Sequence, residues 1–306
     1  MSTFNFQLFG RFTLQRDAQP LKGLEAYKEQ ELLSYLLIYR NRHHPRETLA
    51  SLLWSDTSTS RSKKYLRQAL WHMQSALEGK EIISPQIFLI EHDWVQLNLP
   101  SECSLDVAVF EHAFAATQGV PGKLLDSSGA ALLKNAVELY KGDLLDGWYQ
   151  DWCLFERERL QNIYLCMLDK LMSYCGEHSD YEAGQCYGAT ILRYDRAREL
   201  TYRQLMNLQY RAGDRTGALR QYERCAAALD ELLGVKPERR TTELYEYIRS
   251  DGIATQASDK DQPVSKVASF PQVLNRLKRL PLILEAMQKQ IQRDVQAVEK
   301  ELHNNS

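Results

Sequence analysis

The sequence predicts a mainly α-helical protein with a small α+β domain at its N-terminus, on three observations. Apolar and polar residues alternate near the start, with Phe4, Phe6 and Leu8 before Gly10 and Phe12 and Leu14 after it; a period of two belongs to short strands with one buried face. From Tyr27 the apolar period lengthens to that of a helix, and from Leu105 to Ile248 it remains helical. Within that stretch the chain resembles itself at a spacing of 34 residues, Ser179-Asp180-Tyr181 with Gly184 matching Gly213-Asp214-Arg215 with Ala218. This is the tetratricopeptide period, in which antiparallel helix pairs stack and a small residue lets neighbours approach closely.

A chain of 306 residues is long for one core, so two or three domains are expected. The net charge of −2 exerts no global pull on nucleic acid, so any such site must be local. Residues 1–100 carry twelve Lys and Arg against ten Asp and Glu, and Arg61, Lys63, Lys64 and Arg67 lie within seven residues. The six cysteines form no Cys-x-x-Cys pair and no cluster with zinc-ligand spacing, so no metal is expected. The N-terminus lacks a signal-peptide pattern, and no apolar run is long enough to span a bilayer. The cysteines read as buried thiols in a reducing cytoplasm.

Taken in order, the first hundred residues spell one architecture. After the strands, Leu32, Leu33, Leu36, Leu37 and Tyr39 line a helix ending before Pro45. Leu49, Leu52, Leu53 and Trp54 form the apolar side of a second helix, with Glu47 in its first turn. A third runs from Ser60 to Leu77 on a stripe of Leu66, Leu70, Met73 and Leu77, with Ser58 or Ser60 as its N-cap. Ile82 to Leu99 reads as a hairpin turning at Glu91, His92 and Asp93. Strands, three helices and a terminal hairpin make a winged helix-turn-helix, whose third helix enters the major groove of DNA while the hairpin lies along the backbone. The other faces of that helix offer cations for phosphates, an amide suited to an adenine edge and an aromatic: Lys63, Lys64, Arg67, Gln68, Trp71 and His72. In isolation the same residues would fit a solvated surface helix; the flanking elements favour DNA.

Catalysis is not expected. Asp143, Asp146, Asp151 and Glu156 lie close in sequence, but no His-Glu-x-x-His or Gly-x-Ser-x-Gly motif accompanies them. Carboxylates at helix starts more often cap backbone amides. Gly79-Lys80 and Gly122-Lys123 lack the spacing of a phosphate-binding loop, and no cofactor is implied.

Two segments carry a family resemblance. QELLSYLLIYRNRHHPRETLASLLWSD, LRQALWHMQSAL, Leu105-Asp106 and Phe110-Glu111 resemble the winged-helix DNA-binding domain of the Streptomyces antibiotic regulatory protein family. YKGDLLDGWYQDWCLFERERLQ, from Tyr140 to Gln161, resembles the opening of the tetratricopeptide-like bacterial transcriptional activator domain that follows it in that family, and Leu232–Pro237 with Thr242–Tyr245 resemble its close. The resemblance implies groove contact for Arg67, Gln68 and His72 and phosphate contact for Arg61, Lys63 and Lys64. It implies a cytoplasmic, sequence-specific transcription activator that binds promoter DNA and recruits RNA polymerase. The chain departs from the family where a second basic cluster is replaced by Gln74, Ser75 and Ala76, and where Glu91 and Asp93 place negative charge at the wing tip.

The expected domains are 1–100 for DNA binding, 101–250 for the helical activator domain, 251–269 as a flexible linker and 270–306 as a C-terminal amphipathic helix. In the last, Leu277, Leu284, Ile291 and Val298 recur every seven residues, which suggests a homodimer ahead of docking back onto the repeats, with a helix lying on a membrane third. Two other readings stand beside DNA binding. One is an adaptor that uses the helical repeats for protein contacts. The other is a regulator gated by a small molecule in the repeat groove, where Tyr181, Tyr187, Tyr194, Tyr202, Tyr210 and Tyr222 supply aromatic surface.

Overall fold

The alternation at the N-terminus becomes strand β1 (Phe4–Gln7), whose Phe4 and Phe6 are buried. It pairs antiparallel with β2 (Thr13–Arg16), Phe6 opposite Leu14. Asp17 and Ala18 both take positive φ, the hairpin geometry whose twist matches paired strands, and β3 (Gln19–Pro20) follows. In this computed structural model the described residues are 3–78, 86–100 and 102–250, together with the backbone alone at 251–256. The start of the expected hairpin at 82–85, the remainder of the linker and the helix expected at 270–306 lie outside them.

Helix α1 (Tyr27–Ile38) buries Leu32, Leu33, Leu36 and Leu37. A two-residue strand, β4 (His44–Pro45), leads directly into α2 (Arg46–Leu53). On α2, Leu49 and Leu53 are buried, whereas Leu52, expected on the apolar side, is 40% exposed. Eight residues make barely two turns, and Leu49, Ala50 and Leu53 take the buried side ahead of α3 (Thr59–Leu77). Ser58 occupies the N-cap of α3, yet neither it nor Ser60 caps with its side chain; instead the buried Ser62 hydroxyl donates to the Thr59 carbonyl. Strands β5 (Phe88–Ile90) and β6 (Trp94–Leu97) form the hairpin, and β6 also pairs with β4, giving the order β4-β6-β5. The chain then returns to the first sheet as β7 (Ser104–Leu105), parallel to β1, for the order β3-β2-β1-β7.

The helical half follows as α4 (Asp106–Ala116), a 3-10 turn at Gly122–Leu124, α5 (Ser127–Leu139), the long α6 (Asp151–Glu177), α7 (Tyr181–Tyr194), α8 (Glu199–Arg211), α9 (Arg215–Leu233) and α10 (Arg239–Gln256). The repeat is visible in three dimensions. Ser179 and Gly213, before α7 and α9, both adopt positive φ. Asp180 and Asp214 both hold the N-cap, although only Asp214 accepts a backbone N–H there, from Gly217. Gly184 lies against Leu208 and Cys175, while Ala218 is sealed beside Met206 and Ile248. Gly234, in the left-handed conformation, stops α9. Helix α10 continues through the first six residues of the expected linker, because no proline interrupts the chain before Pro263. The thiols depart in part from expectation: Cys153, Cys175 and Cys225 are buried and Cys103 is half-buried, but Cys166 and Cys186 are exposed.

Residues 1–250 form one compact unit, and a single hydrophobic cluster runs from Phe4 to Leu208. Its polar seam is Asp106. This buried carboxylate accepts the backbone N–H groups of Leu8 and Phe9, at 2.8 and 2.9 Å, and of Val107 at 2.7 Å. Burial pushes its pKa up while those donors pull it down, and burial prevails. Arg157 plays the matching part on α6, donating to the carbonyls of Leu144, Leu145 and Trp148.

Two substitutions test these joints by urea unfolding. Asp106→Ala strands buried N–H groups and should cost about 2–3 kcal/mol. Gly122→Ala places a methyl group on the Lys170 backbone of α6 and should cost about 1–3 kcal/mol through overpacking.

Candidate nucleic-acid interface

Helix α3 divides cleanly by burial. Ser62, Leu66, Ala69, Leu70, Met73 and Leu77 face the core, and Arg61, Lys63, Lys64, Arg67, Gln68, Trp71 and His72 are all exposed, Trp71 at 64%. The reason is periodic: at about 100° per residue, the inward stripe occupies one side and these seven share the rest. They do not form one patch. Lys64, Gln68 and Trp71 fall on the crest opposite the core, Lys63 and Arg67 on one flank, and Arg61 and His72 on the other. His72 is engaged by α1, its Nδ1 lying 2.7 Å from a Glu29 carboxylate oxygen.

The Lys63–Arg67 flank forms one wall of a cleft of about 710 Å³. The start of α2 supplies Pro45, Arg46, Glu47 and Thr48, and the hairpin tip supplies His92 and Asp93. Strand pairing brings these walls together: Pro45 lies opposite Trp94, so the chain enters α2 directly beside the wing. Arg46 is bound to the wing twice, its backbone N–H donating to the Asp93 carbonyl and its guanidinium to the Glu91 carbonyl, at 2.9 and 3.1 Å. Arg46 and His92 therefore join Lys63 and Arg67 on one concave surface. A two-residue strand is too short to register as a pattern, although an arginine directly after Pro45 at a helix start was a visible signal.

The cleft also contains its own carboxylates. Glu47 forms an ion pair with Lys63, and Asp93 hydrogen-bonds the ring of His92. Lys64, Arg61 and Arg67 have no carboxylate partner among the described residues. The arrangement can hold an anionic backbone between wing and helix while the crest of α3 projects beyond it.

The carboxylates of the helical half serve structure. Glu156 is buried and paired with Arg159, which also reaches Glu111, itself bound by Arg40 in the turn after α1. Asp143 accepts from the Tyr140 hydroxyl at 3.2 Å, Asp146 donates its backbone N–H to Gly10, and Asp151 sits in the first turn of α6. Among the described residues no group of three or more His, Cys, Asp or Glu is placed to hold a metal ion, and no helix is long and apolar enough to cross a membrane.

Comparison with known proteins agrees with this architecture. Residues 105–249 match the model of the bacterial transcriptional activator domain. A solved structure of Mycobacterium tuberculosis EmbR, in complex with a low-affinity phosphopeptide, shares the fold at a TM-score of 0.63 and 19% identity, covering 87% of this chain and 67% of that one. No curated protein sequence matches the chain. The activator-domain match thus lies on the helical half, and the α+β head and helical repeats together share their fold with the EmbR structure.

Proposed function

We propose that this regulator binds promoter DNA sequence-specifically through α3 and the adjoining cleft, and activates transcription by recruiting RNA polymerase in the cytoplasm as a homodimer. The observation that carries the reading is the convergence of Lys63, Arg67, Arg46 and His92 on one cleft beside a fully exposed crest bearing Lys64, Gln68 and Trp71. Arg67 and Gln68 are the groove-reading residues, because a guanidinium can bond guanine and a side-chain amide adenine in bidentate fashion. Lys64, Arg61, Arg46 and Lys63 serve phosphates and set position rather than sequence. The exposed indole of Trp71 provides apolar contact for a thymine methyl. His72, held by Glu29, stands at the edge of this surface and stiffens the helix against α1. Two copies on neighbouring half-sites would raise effective concentration and offset the modest charge of each cleft.

A second reading has one observation in its favour. Over α8, between α7 and α9, lies a groove of about 680 Å³ into which the repeat domain presents Tyr181, Tyr202, Arg193 and Arg224. The Gln209 side-chain oxygen there is buried without a hydrogen-bond partner among the described residues. Such a groove would suit a small effector carrying a hydrogen-bond donor and a negative charge.

Three measurements follow. Arg67→Ala should weaken binding to a footprinted upstream site by about 1–3 kcal/mol, with a smaller effect on mixed-sequence DNA. Lys64→Ala should weaken all sequences alike and lower the slope of log affinity against log salt by about one. An electrophoretic titration unaffected by either change would reject the recognition-helix assignment. For the second reading, a screen of small aromatic carboxylates should raise the Tm of the wild-type chain but not of Arg224→Glu; an absence of any shift would count against an effector of that chemistry.

A further inference from the structure

We infer that Glu47 regulates the cleft by holding Lys63 in an internal ion pair that a DNA phosphate must displace, so that one carboxylate sets how weakly the protein retains DNA of any sequence. The inference rests on the cleft being a DNA interface. Glu47 stands in the first turn of α2, where a carboxylate complements the helix dipole, and reaches across the cleft to Lys63 in α3. The two side chains are 77% and 46% exposed, so the pair does little for stability. Its effect is on charge. At the opposite wall Asp93 hydrogen-bonds the ring of His92, and Arg67 is the α3 cation of the cleft without a carboxylate partner among the described residues.

A phosphate entering between wing and helix therefore meets two guanidiniums, Arg67 and Arg46, without a carboxylate partner among the described residues, and one ammonium already paired. When it takes Lys63, Glu47 is left exposed beside the DNA backbone and repels it. The pair reduces net counterion release for every sequence alike, because Glu47 beside the DNA backbone offsets the charge of Lys63 and fewer of the cations condensed on the DNA are displaced. Base contacts, which act only on the right sequence, gain relative weight. Glu47 is thus a specificity-determining residue that acts through Lys63.

The test is a double-mutant cycle on the full chain, read by fluorescence anisotropy with a labelled mixed-sequence duplex of about 30 base pairs, from roughly 50 to 200 mM NaCl. Glu47→Gln should bind that duplex about three- to tenfold more tightly at the lower salt and steepen the salt slope by about one. In a Lys63→Ala background the same substitution should change neither quantity appreciably. The proposal is overturned if Glu47→Gln behaves as wild type, or if it tightens binding equally with Lys63 absent, since the carboxylate would then act as a general surface charge. If the wild-type chain and Arg67→Ala are equally indifferent to duplex DNA at low salt, the DNA reading falls first and takes this one with it.

Discussion

The structure depends on how three residues at the end of β1 satisfy their backbone. Leu8 and Phe9 give their N–H groups to the Asp106 carboxylate, Gly10 gives its own to the Asp143 carbonyl, and the carbonyls of Leu8 and Gly10 accept from Leu145 and Asp146. Leu8 and Phe9 are buried, and a buried peptide group left unpaired costs more than an ordinary hydrogen bond contributes. The partners come from two separate places, the first residue of α4 and the loop before α6. The N-terminal sheet therefore reaches its full hydrogen bonding only when the helical half is folded against it.

The side chains around this joint extend it. Phe9 packs on Phe110 and Tyr140, and Tyr140 stacks on Tyr164 of α6. Helix α1 is held by the same neighbours: Tyr27 packs on Trp148, Tyr35 on Trp152, and Arg40 joins the Glu111–Arg159–Glu156 chain. The buried Glu156 would be costly alone, and its pairing with Arg159 makes this contact specific to one docking geometry. Because α3 packs on α1 and is tied to it by His72 and Glu29, its exposed crest is held in a set orientation to the helical repeats.

The same joint occupies Tyr140 to Gln161, inside the activator-domain match. Leu145 adopts positive φ, uncommon for a leucine, and the Arg157 guanidinium holds that turn through three carbonyls. Asp143 and Asp146, which invite a catalytic interpretation, stand in the loop that pairs with Leu8, Phe9 and Gly10. Their chemistry is that of a joint, and the exposed carboxylates of the cleft lie elsewhere, at Glu47 and the wing.

Much of the molecule was decided by local pattern. The alternation of Phe4, Phe6 and Leu8, the stripe Leu66–Leu70–Met73–Leu77 and the repeat linking Gly184 to Ala218 each express a period that burial imposes on strand or helix, so strands, helices and the exposure of all seven α3 residues could be read from the chain. Tertiary structure alone decided which of those residues share a surface. Arg46 and His92 joined Lys63 and Arg67 because a two-residue strand laid α2 against the wing, Glu47 met Lys63 across the cleft, and His72 turned to Glu29. Such contacts depend on long-range pairing between elements, and no periodicity along one element can encode the charge that another will bring beside it.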